Sequence, residues 1–365
     1  MSLNLAAINK IYGEGSRHPV HAVRTMDLDV QDGEIIALLG SSGCGKTSTL
    51  RMIAGFEAVS NGEIHLAGRR IDTLPPAQRG VAMAFEGYAL YPPLTIAENI
   101  GFALRSDKAQ ANTASAQVRE VADLLEIGPI LHRRPNGLSG GQQQRASLAR
   151  ALIRHADLHL LDEPMGQLEP QLRAILRGRV KARIKERGYT AVLVTHDQGE
   201  ATAMADRIAV MEAGALQQYA TPAALRDRPA NLFVATFFGE PPMNTLQGIV
   251  TDRGYDALDE SGAVALRIPL ATPRTLTLGQ RVVLGLRPHR LQLHLADYQG
   301  VLVSNQWLGD QAHVAIEVAG RTLTAIHNTR VAARLGDTIH FGFDPVDLHI
   351  FDAASGIALA HGAIA

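Results

Sequence analysis

The chain has 365 residues, of which 46% are hydrophobic and 19% charged, and its 35 basic and 36 acidic residues leave a net charge of −1. This length predicts two domains, and the charge balance removes the electrostatic reason to expect nucleic acid or anionic lipid as a main partner. With no run of about 18 apolar residues and no basic-then-apolar leader, we expect a protein that neither spans a membrane nor is exported.

The first predicted elements that carry chemistry are a buried strand over residues 34–39 and a helix over residues 47–54, which Gly55 would end. Between them, residues 40–47 read GSSGCGKT and match the phosphate-loop pattern G-x-x-x-x-G-K-[ST]. Backbone N–H groups of such a loop surround the phosphates of a nucleotide, and the helix N-terminus adds partial positive charge. We expect Lys46 to neutralise the β- and γ-phosphates and the Thr47 hydroxyl to ligate Mg²⁺. The expected cradle also contains Gly40, Ser41, Gly43, Cys44, Gly45 and Ser48.

Cys44 is the only cysteine, so no internal disulfide is possible, and a reducing cytosol fits this usage. A helix N-terminus lowers the pKa of a thiol, which leaves a redox switch as one interpretation of Cys44. The other interpretation, which we favour, is a small side chain that fits a tight loop.

Farther along the chain, an apolar strand ends in the acidic pair Asp162 and Glu163. The strand would hold the carboxylate of Asp162 at the sheet edge near the metal, and Glu163 is the candidate base that polarises the attacking water. A helix cap or a surface pair is the weaker interpretation, because the phosphate loop lies upstream. Another short strand over residues 191–194 leads into His196.

Residues 1–236 alternate short apolar strands with helical patterns, as an α/β domain does. One such helix has apolar residues at helical spacing with Arg and Lys between them, namely at Leu172, Ile175, Leu176, Val180 and Ile184. We interpret the basic face of this helix as solvated and assign it no function.

The pattern changes at residues 239–244, which read GEPPMN and suit a linker. Beyond it, residues 312–318 alternate with period two, and Ile339, Phe341 and Phe343 repeat that pattern. We therefore predict a small antiparallel β domain, a sandwich or a barrel, over residues 237–365. The α/β domain would span residues 1–236, with a helical subdomain at about residues 87–155.

The motifs together resemble the ATP-binding subunit of an ABC transporter. The resemblance rests on the phosphate loop, the segment LSGGQ at residues 138–142 and the strand end LLDE at residues 160–163. Further segments resemble the maltose-type and glycerol-3-phosphate-type sugar-importer ATPases, namely LRMIAG at 50–55, YALYP at 88–92, PPMN at 241–244, LRP at 286–288 and GFDP at 342–345. The resemblance implies a P-loop NTPase domain of the ABC ATPase type, with a helical subdomain, followed by an all-β, OB-like regulatory domain. ATP and Mg²⁺ are the implied cofactors.

The resemblance also implies roles for individual residues. The signature segment, Ser139, Gly140, Gly141 and Gln142, would close on the γ-phosphate of an ATP bound to a second subunit, so hydrolysis would require a dimer. His196 resembles the switch histidine that senses the γ-phosphate. Tyr12 resembles the aromatic residue that stacks on adenine, although an ordinary strand aromatic is a serious competing interpretation.

The implied partners are a second ATPase subunit, integral membrane permease subunits and, indirectly, an extracytoplasmic solute-binding protein, with no nucleic acid. The helical region after residue 86 would receive a coupling helix from the permease. The protein would then lie peripherally on the cytoplasmic face of the plasma membrane. These expectations rest on resemblance and not on spacing.

Two departures from the family pattern concern the surroundings of the γ-phosphate. Glu86 stands where the family has Gln, and as a metal ligand its oxygen would serve Mg²⁺ as well as an amide oxygen does. Its charge would face the γ-phosphate and Glu163, and two like charges roughly 5 Å apart at an effective dielectric near 20 repel by about 3 kcal/mol. Gly166 and Glu169 replace the usual Ser and Asp in the segment that follows Glu163.

These departures leave two functional hypotheses for the chain. One is the energy-coupling ATPase of a carbohydrate or polyol importer that works as a homodimer, with the departures as neutral drift, and we favour it. The other is an attenuated, mainly ATP-binding regulatory subunit paired with an active paralogue in a heterodimer. A soluble ABC ATPase of DNA repair or translation is a third class. The sequence does not support it, because it has no zinc-binding cysteines, no second ATPase cassette and no excess of basic residues.

Overall fold

The computed structural model describes residues 3–104, 114–269, 276–293, 295–318 and 320–362. The chain divides into two compact units, residues 1–222 and residues 223–365. Among the described residues, no helix is long and apolar enough to cross a membrane.

The first unit contains strands and helices in alternation. Its strands are β1 (Leu3–Tyr12), β2 (Val20–Val30), β3 (Ile35–Gly40), β4 (Asn61–Leu66), β5 (Arg69–Arg70), β6 (Val81–Ala84), β7 (Leu158–Asp162), β8 (Ala191–Thr195), β9 (Arg207–Glu212) and β10 (Ala215–Ala220). Its helices are α1 (Lys46–Ala54), α2 (Ile96–Gly101), α3 (Ala114–Leu124), α4 (Gly140–Leu152), α5 (Pro170–Glu186) and α6 (Gln198–Met204).

A six-stranded sheet in the order β10-β9-β3-β8-β7-β6 forms the centre of the first unit. The neighbours from β9 to β6 run parallel, and β10 is antiparallel. Every residue of β3, β7 and β8 is buried, which explains why these strands appear in the sequence as continuous apolar runs. The strands predicted at residues 34–39 and 191–194, the helix at 47–54 and the α/β class are thus confirmed, with ends that shift by one residue.

A second sheet of the first unit, in the order β2-β1-β4-β5, is antiparallel, and the sequence analysis did not predict it. Register shifts interrupt the pairing of β1 with β2, so alternation along these strands is irregular. Buried side chains of both sheets and of α1 share one core, for example Leu5, Met26, Leu38, Leu50 and Leu160.

Helix α5 corrects one interpretation of the sequence. Leu176, Val180 and Ile184 are fully buried as expected, but Ile175 is 49% exposed. The basic face is not simply solvated, because Arg183 pairs with Glu120 and its side chain is only 14% exposed. The solvated interpretation is therefore wrong for part of this face, where cations on α5 bind acidic residues of other elements.

The second unit begins with two short helices, α7 (Pro222–Asp227) and α8 (Leu232–Phe237). We expected the domain boundary after residue 236, but the compact units divide at residues 222 and 223. The reason is packing: Ala235 of α8 belongs to a buried cluster with Met243, Val283 and Phe351 of the β-rich part. Helix α8 therefore packs with the second unit, and the carbonyl oxygen of Arg226 in α7 accepts a hydrogen bond from Arg287 of that unit.

The rest of the second unit consists of strands in two antiparallel sheets. The strands are β11 (Asn244–Thr251), β12 (Gly254–Leu258), β13 (Val264–Pro269), β14 (Arg281–Leu286), β15 (Tyr298–Trp307), β16 (Ala312–Val318), β17 (Arg321–His327), β18 (Thr338–Phe341), β19 (His349–Asp352) and β20 (Ala358–His361). The sheet orders are β13-β12-β11-β14-β19-β20 and β17-β16-β15-β18. Ala312, Val314, Ile316 and Val318 are buried as their alternation predicted, so the antiparallel β domain is confirmed.

Candidate active site

Four parallel strands of the first unit end at the same edge of the central sheet. In spatial order they are β3, β8, β7 and β6, and they lead into the phosphate loop, His196, Glu163 and Glu86, respectively. The register pairs Leu39 with Thr195, so these strand ends lie level with one another. Ligands of open α/β sheets bind outside the carboxyl ends of the strands, which makes this edge the candidate site.

The phosphate loop turns sharply at glycines. Gly43 and Gly45 have φ of +81° and +102°, a region that favours glycine. A Cβ at Gly45 would lie 2.3 Å from the carbonyl oxygen of Ala22, and a Cβ at Gly40 would lie 2.3 Å from that of Met211. The loop therefore requires glycine at two positions for close backbone approach.

Helix α1 begins directly after this loop, and its N-cap residue, Gly45, provides no side-chain cap. The first N–H groups of a helix lack intrahelical acceptors, so this end can donate to phosphate oxygens. Lys46 is 7% exposed, and its Nζ donates to the carbonyl oxygens of Gly40 and Ser41 at 2.7 and 2.9 Å. The ammonium group is thus held within the loop that would surround the phosphates.

Two of the residues predicted to ligate Mg²⁺ are adjacent to each other. The hydroxyl of Thr47 lies 3.5 Å from Oδ1 of Asp162. Burial raises the pKa of Asp162 to about 6, and the negative charges of Glu86 and Glu163 add to this effect. A cation at this position would offset the cost of the buried charge.

Glu86 lies two residues after β6 and is exposed. Its carboxylate raises the pKa of Asp162, so the charge that distinguishes this chain acts on the residue next to Thr47. The sequence analysis anticipated repulsion with Glu163 and did not anticipate that Asp162 would be affected.

Glu163 and His196 form a direct pair at the sheet edge. Nδ1 of His196 lies 2.8 Å from Oε1 of Glu163, with the histidine 68% and the glutamate 16% exposed. Glu163 has a φ of +47°, which is uncommon for a residue with a side chain. Its N–H donates to the carbonyl oxygen of Val194, so this strained backbone is fixed to β8.

Behind His196, Asp197 caps helix α6 by accepting from the N–H of Glu200. Burial acts to raise the pKa of Asp197, but the hydrogen bond from Glu200 and the guanidinium groups of Arg177 and Arg173 outweigh it and lower this pKa below its ordinary value. The two arginines lie 2.6 and 3.0 Å from the carboxylate. They make α5 a support for the loop that carries His196.

The sequence analysis missed Glu200, which accepts a hydrogen bond from the hydroxyl of Thr195. Burial raises the pKa of Glu200 to about 7, against the effect of that hydrogen bond. The signal was present as an Asp197-x-x-Glu200 pattern at a helix start, which is typical of a capped N-terminus.

Gln144 of α4 was also missed. It is 4% exposed, its amide donates to the carbonyl oxygen of Glu163 at 2.7 Å, and it accepts from the N–H of Gln167 at 2.9 Å. Gln144 therefore ties the signature helix to the segment that departs from the family pattern. Its spacing of four from Leu148 places an amide on the buried face of α4, which is the signal that could have found it.

The signature segment forms the first turn of α4. Ser139 accepts from the N–H of Gln142 and donates its own N–H to the Gln142 side chain, a complete capping box. A Cβ at Gly141 would lie 3.0 Å from the carbonyl oxygen of Gln167, and one at Gly140 would lie 3.2 Å from the hydroxyl of Tyr88. In this chain the segment thus packs beside the loops that follow β6 and β7.

Tyr12 ends β1 and lies near the phosphate loop. Its hydroxyl donates to the Oγ of Ser48 at 3.2 Å, and Nζ of Lys10 lies 4.7 Å from the ring centroid. The antiparallel sheet thereby brings an aromatic ring beside the first turn of α1, where Ser48 lies.

The side chains and backbone groups at this edge are suited to bind a nucleotide and a divalent cation. The uncapped helix end, the glycine turns and Lys46 suit phosphate, and the oxygens of Thr47 and Asp162 suit a hard cation. The described residues contain no group of three His, Cys, Asp or Glu side chains placed to hold a metal ion. Mg²⁺ would therefore need phosphate oxygens and water as further ligands.

Two family models match parts of the chain. A family model of the ABC transporter matches residues 23–166, and a model of the TOBE domain matches residues 261–351. The chain is 39% identical over 358 residues to the sn-glycerol-3-phosphate import ATP-binding protein of Rhizobium johnstonii, covering 97% of this chain and 95% of the relative. It is 39% identical over 378 residues to the trehalose/maltose import ATP-binding protein of Thermococcus litoralis, covering 98% and 99%.

Two further similarities cover different shares of the chain. The α-glucoside transport ATP-binding protein of Rhizobium meliloti is 37% identical over 358 residues, covering 96% of this chain and 97% of the relative. A solved dimeric ATP-binding cassette in a post-hydrolysis state, bound to ADP and Pi, aligns with a TM-score of 0.56 at 25% identity. That alignment covers 60% of this chain and 98% of the other.

Proposed function

The chain belongs to the ATP-binding subunits of ABC transporters, a family of ATPases, and from that premise we propose that it powers import of a carbohydrate or polyol-type solute. Its relatives are named as import or transport ATP-binding proteins for sn-glycerol 3-phosphate, trehalose or maltose, and α-glucoside. The observation that supports ATP hydrolysis, the step that would power import, is the pairing of Glu163 with His196 at the sheet edge where the phosphate loop begins.

The proposed chemistry assigns one task to each residue at this edge. Lys46 and the N–H groups of α1 bind the phosphates, and bound Mg²⁺, held by Thr47 and Asp162, would neutralise developing negative charge. Glu163 accepts a proton from the attacking water, and its bond from Nδ1 of His196 orients the carboxylate. Tyr12 supplies a ring face to adenine.

We further propose that two subunits enclose each ATP, with the signature segment of one facing the phosphate loop of the other. Two observations support this: the similar solved cassette is a dimer, and α4 presents its N-terminal turn next to exposed Ser139. A helix N-terminus favours negative charge, so a γ-phosphate supplied by a second copy suits it.

The membrane subunits would dock on a cavity of about 640 Å³ in the first unit. It is lined by Phe85, Tyr91, Phe102 and Arg150, among others, and the rings of Tyr91 and Phe102 are 43% and 42% exposed, with centroids 4.7 Å apart. Exposed aromatic residues of this kind suit an apolar helix of a permease subunit. Docking would place the protein peripherally on the cytoplasmic membrane face, below a permease that a solute-binding protein supplies.

A second candidate function is supported by the position of Glu86. Its carboxylate adds to the effect of burial in raising the pKa of Asp162, and its negative charge would face the γ-phosphate and Glu163. The chain would then bind ATP but hydrolyse it slowly, and an active paralogue would share the work.

The test is Mg·ATP hydrolysis by the purified chain over a range of protein concentrations, with Glu163→Gln as the control. Activity that rises more than linearly with concentration, and that the control abolishes, is expected of a competent homodimer. Bound ATP without turnover, restored only by a paralogous ATPase, would overturn the homodimer and support the second function.

A further inference from the structure

A cavity of about 410 Å³ lies within the second unit, and all of its lining residues belong to that unit. Its walls come from the end of α7, the turn after β14, and strands β19 and β20. Six charged residues line it, namely Arg226, Arg228, Arg287, Arg290, Asp227 and Asp347. Arginines thus outnumber aspartates by two, in a chain whose overall charge is near zero.

Arg287 is the fixed cation of this cavity. It is 5% exposed, and its terminal nitrogens donate to the carbonyl oxygens of Ala235, Phe238 and Arg226. Its Nε is buried and has no hydrogen-bond partner among the described residues. A buried guanidinium bonded to carbonyls keeps its full positive charge, and an anion in the cavity would compensate it.

Arg226 and Arg290 supply accessible charge, since their side chains are 57% and 54% exposed. Nε of Arg226 lies 3.0 Å from Asp227, and Nε of Arg290 lies 3.5 Å from Asp347. Both ion pairs are made through Nε, which leaves the two terminal nitrogens of each guanidinium for bidentate bonds to an oxyanion.

Three histidines, His289, His349 and His361, line the same cavity. Nδ1 of His349 lies 3.0 Å from Nδ1 of His361, so one ring donates to the other. Burial lowers the pKa of His349 to about 4, with His361 and Arg287 adding to the effect. Burial also lowers the pKa of His289, and the positive charge of Arg290 lowers it further. The rings are therefore neutral hydrogen-bonding groups near neutral pH.

We propose that this cavity binds a phosphate dianion, either free phosphate or the phosphate group of a small metabolite. The buried charge of Arg287 attracts an anion, and the forked guanidinium groups of Arg226 and Arg290 match the oxygens of a phosphate. The volume lies within the range of about 300–1,000 Å³ typical of small-molecule sites. None of the described lining residues is Phe, Tyr or Trp, so a nucleotide base finds no stacking partner.

The binding test uses the full chain with its phosphate loop filled by excess Mg·ADP, and calorimetric titration with inorganic phosphate, fructose 6-phosphate or malonate. We expect both phosphate compounds to bind and malonate to bind at least tenfold more weakly. Tighter binding of the sugar phosphate would identify the ligand as an ester, and equal or weaker binding would identify free phosphate. The measurement requires no transport or hydrolysis, so it is independent of the function proposed above.

Variants locate the binding. Arg226→Gln and Arg290→Gln should each weaken phosphate binding at least tenfold, while Arg321→Gln, at an exposed arginine of β17 outside the cavity, should not change it. Asp347→Asn removes an acidic group from the lining and should tighten binding, which tests the site even if an arginine variant fails to fold. No phosphate binding, malonate binding as tight as phosphate, or affinity unaffected by these variants would overturn the proposal.

Discussion

At the scale of single residues, Asp162 combines a role in the proposed chemistry with a cost to folding stability. It is 4% exposed, and burial together with Glu86 and Glu163 raises its pKa to about 6. At neutral pH the carboxylate is ionised, as metal binding requires, yet its surroundings disfavour that charge. Functional sites commonly retain such local costs.

Asp162→Asn should therefore stabilise the first unit in the absence of nucleotide and Mg²⁺. The ordinary carboxyl pKa is 3.8, so between about pH 4 and 6 the folded state holds more protons and stability falls as pH rises. The variant has no carboxyl group at this position, so its stability does not fall in this way. Its free energy of unfolding should exceed that of the unsubstituted protein by about 1–3 kcal/mol at about pH 8, and the difference should be near zero below about pH 4. Urea unfolding at both ends of this range measures it, with exposed Asp252→Asn as control. A gain that is the same at both pH values would contradict the electrostatic cause.

If the chain is the attenuated subunit of the second candidate function, Glu86→Gln should increase turnover by about three- to tenfold, whereas neutral drift predicts no change. Removing the charge lowers the pKa of Asp162, so the acid limb of the pH profile of kcat should also move to lower pH. Steady-state hydrolysis across the pH range measures both effects, and Glu63→Gln on β4 serves as the control. An unchanged profile would mean that Glu86 does not act through Asp162.

At the scale of secondary-structure elements, helix α1 depends on one distant arginine. Arg79 is 5% exposed, and its guanidinium donates to the carbonyl oxygens of Met52 and Ile53, in the last turn of α1, and to those of Asp72 and Leu74. The last carbonyl groups of a helix lack intrahelical donors. Arg79 therefore holds the C-terminal end of the helix whose N-terminus would face the phosphates.

Arg79→Met should lower the free energy of unfolding by about 2–4 kcal/mol, because it leaves several buried carbonyl groups without donors. Denaturant unfolding of the first unit measures this loss. Arg69→Met, at an exposed position of β5, should have little effect. Equal losses in the two variants would show that the buried hydrogen bonds of Arg79 are not the cause.

Gln144→Leu should reduce kcat about tenfold while leaving ATP affinity nearly unchanged. The substitution keeps the buried volume on α4 but removes both hydrogen bonds to the segment from Glu163 to Gln167, so the candidate base loses its positioning. Hydrolysis and equilibrium ATP binding separate the two effects. Gln299→Leu, at an exposed site on β15, is the matched control, and a normal kcat in folded Gln144→Leu would contradict the positioning role.

The elements of the central sheet were predictable because each is a local pattern. Continuous apolar runs locate β3, β7 and β8, and the phosphate-loop motif fixes the residues that follow β3. The supporting bonds were not predictable, because their partners are far apart in sequence. Arg79 caps a helix 26 residues away, and Arg177 lies 20 residues before Asp197. The sheet of β1 and β2 escaped detection because its register shifts break the period of two.

At the scale of the whole molecule, the two units have separate hydrophobic cores. One includes Leu38, Leu50 and Leu160, and the other includes Ile316 and Phe341. The residues of the candidate nucleotide site all belong to the first unit, and those that line the arginine-rich cavity all belong to the second. Ligands of the two sites should therefore act on different cooperative units.

Calorimetry should resolve two unfolding transitions. Mg·ADP at about 100 times its Kd should stabilise the transition of the first unit by about 2.7 kcal/mol, because it binds only the folded site, and should leave the other transition in place. Lys46→Ala should abolish this shift without altering the second transition. A single transition that ADP moves as a whole would contradict the independence of the units.

The capping box of α4 also bears on the life of a newly made chain. Ser139 and Gln142 satisfy each other's backbone groups, so the signature turn is complete within one polypeptide. A newly made subunit can therefore complete this turn before it meets a partner. In the dimer proposed above, assembly would then join two surfaces that are already folded.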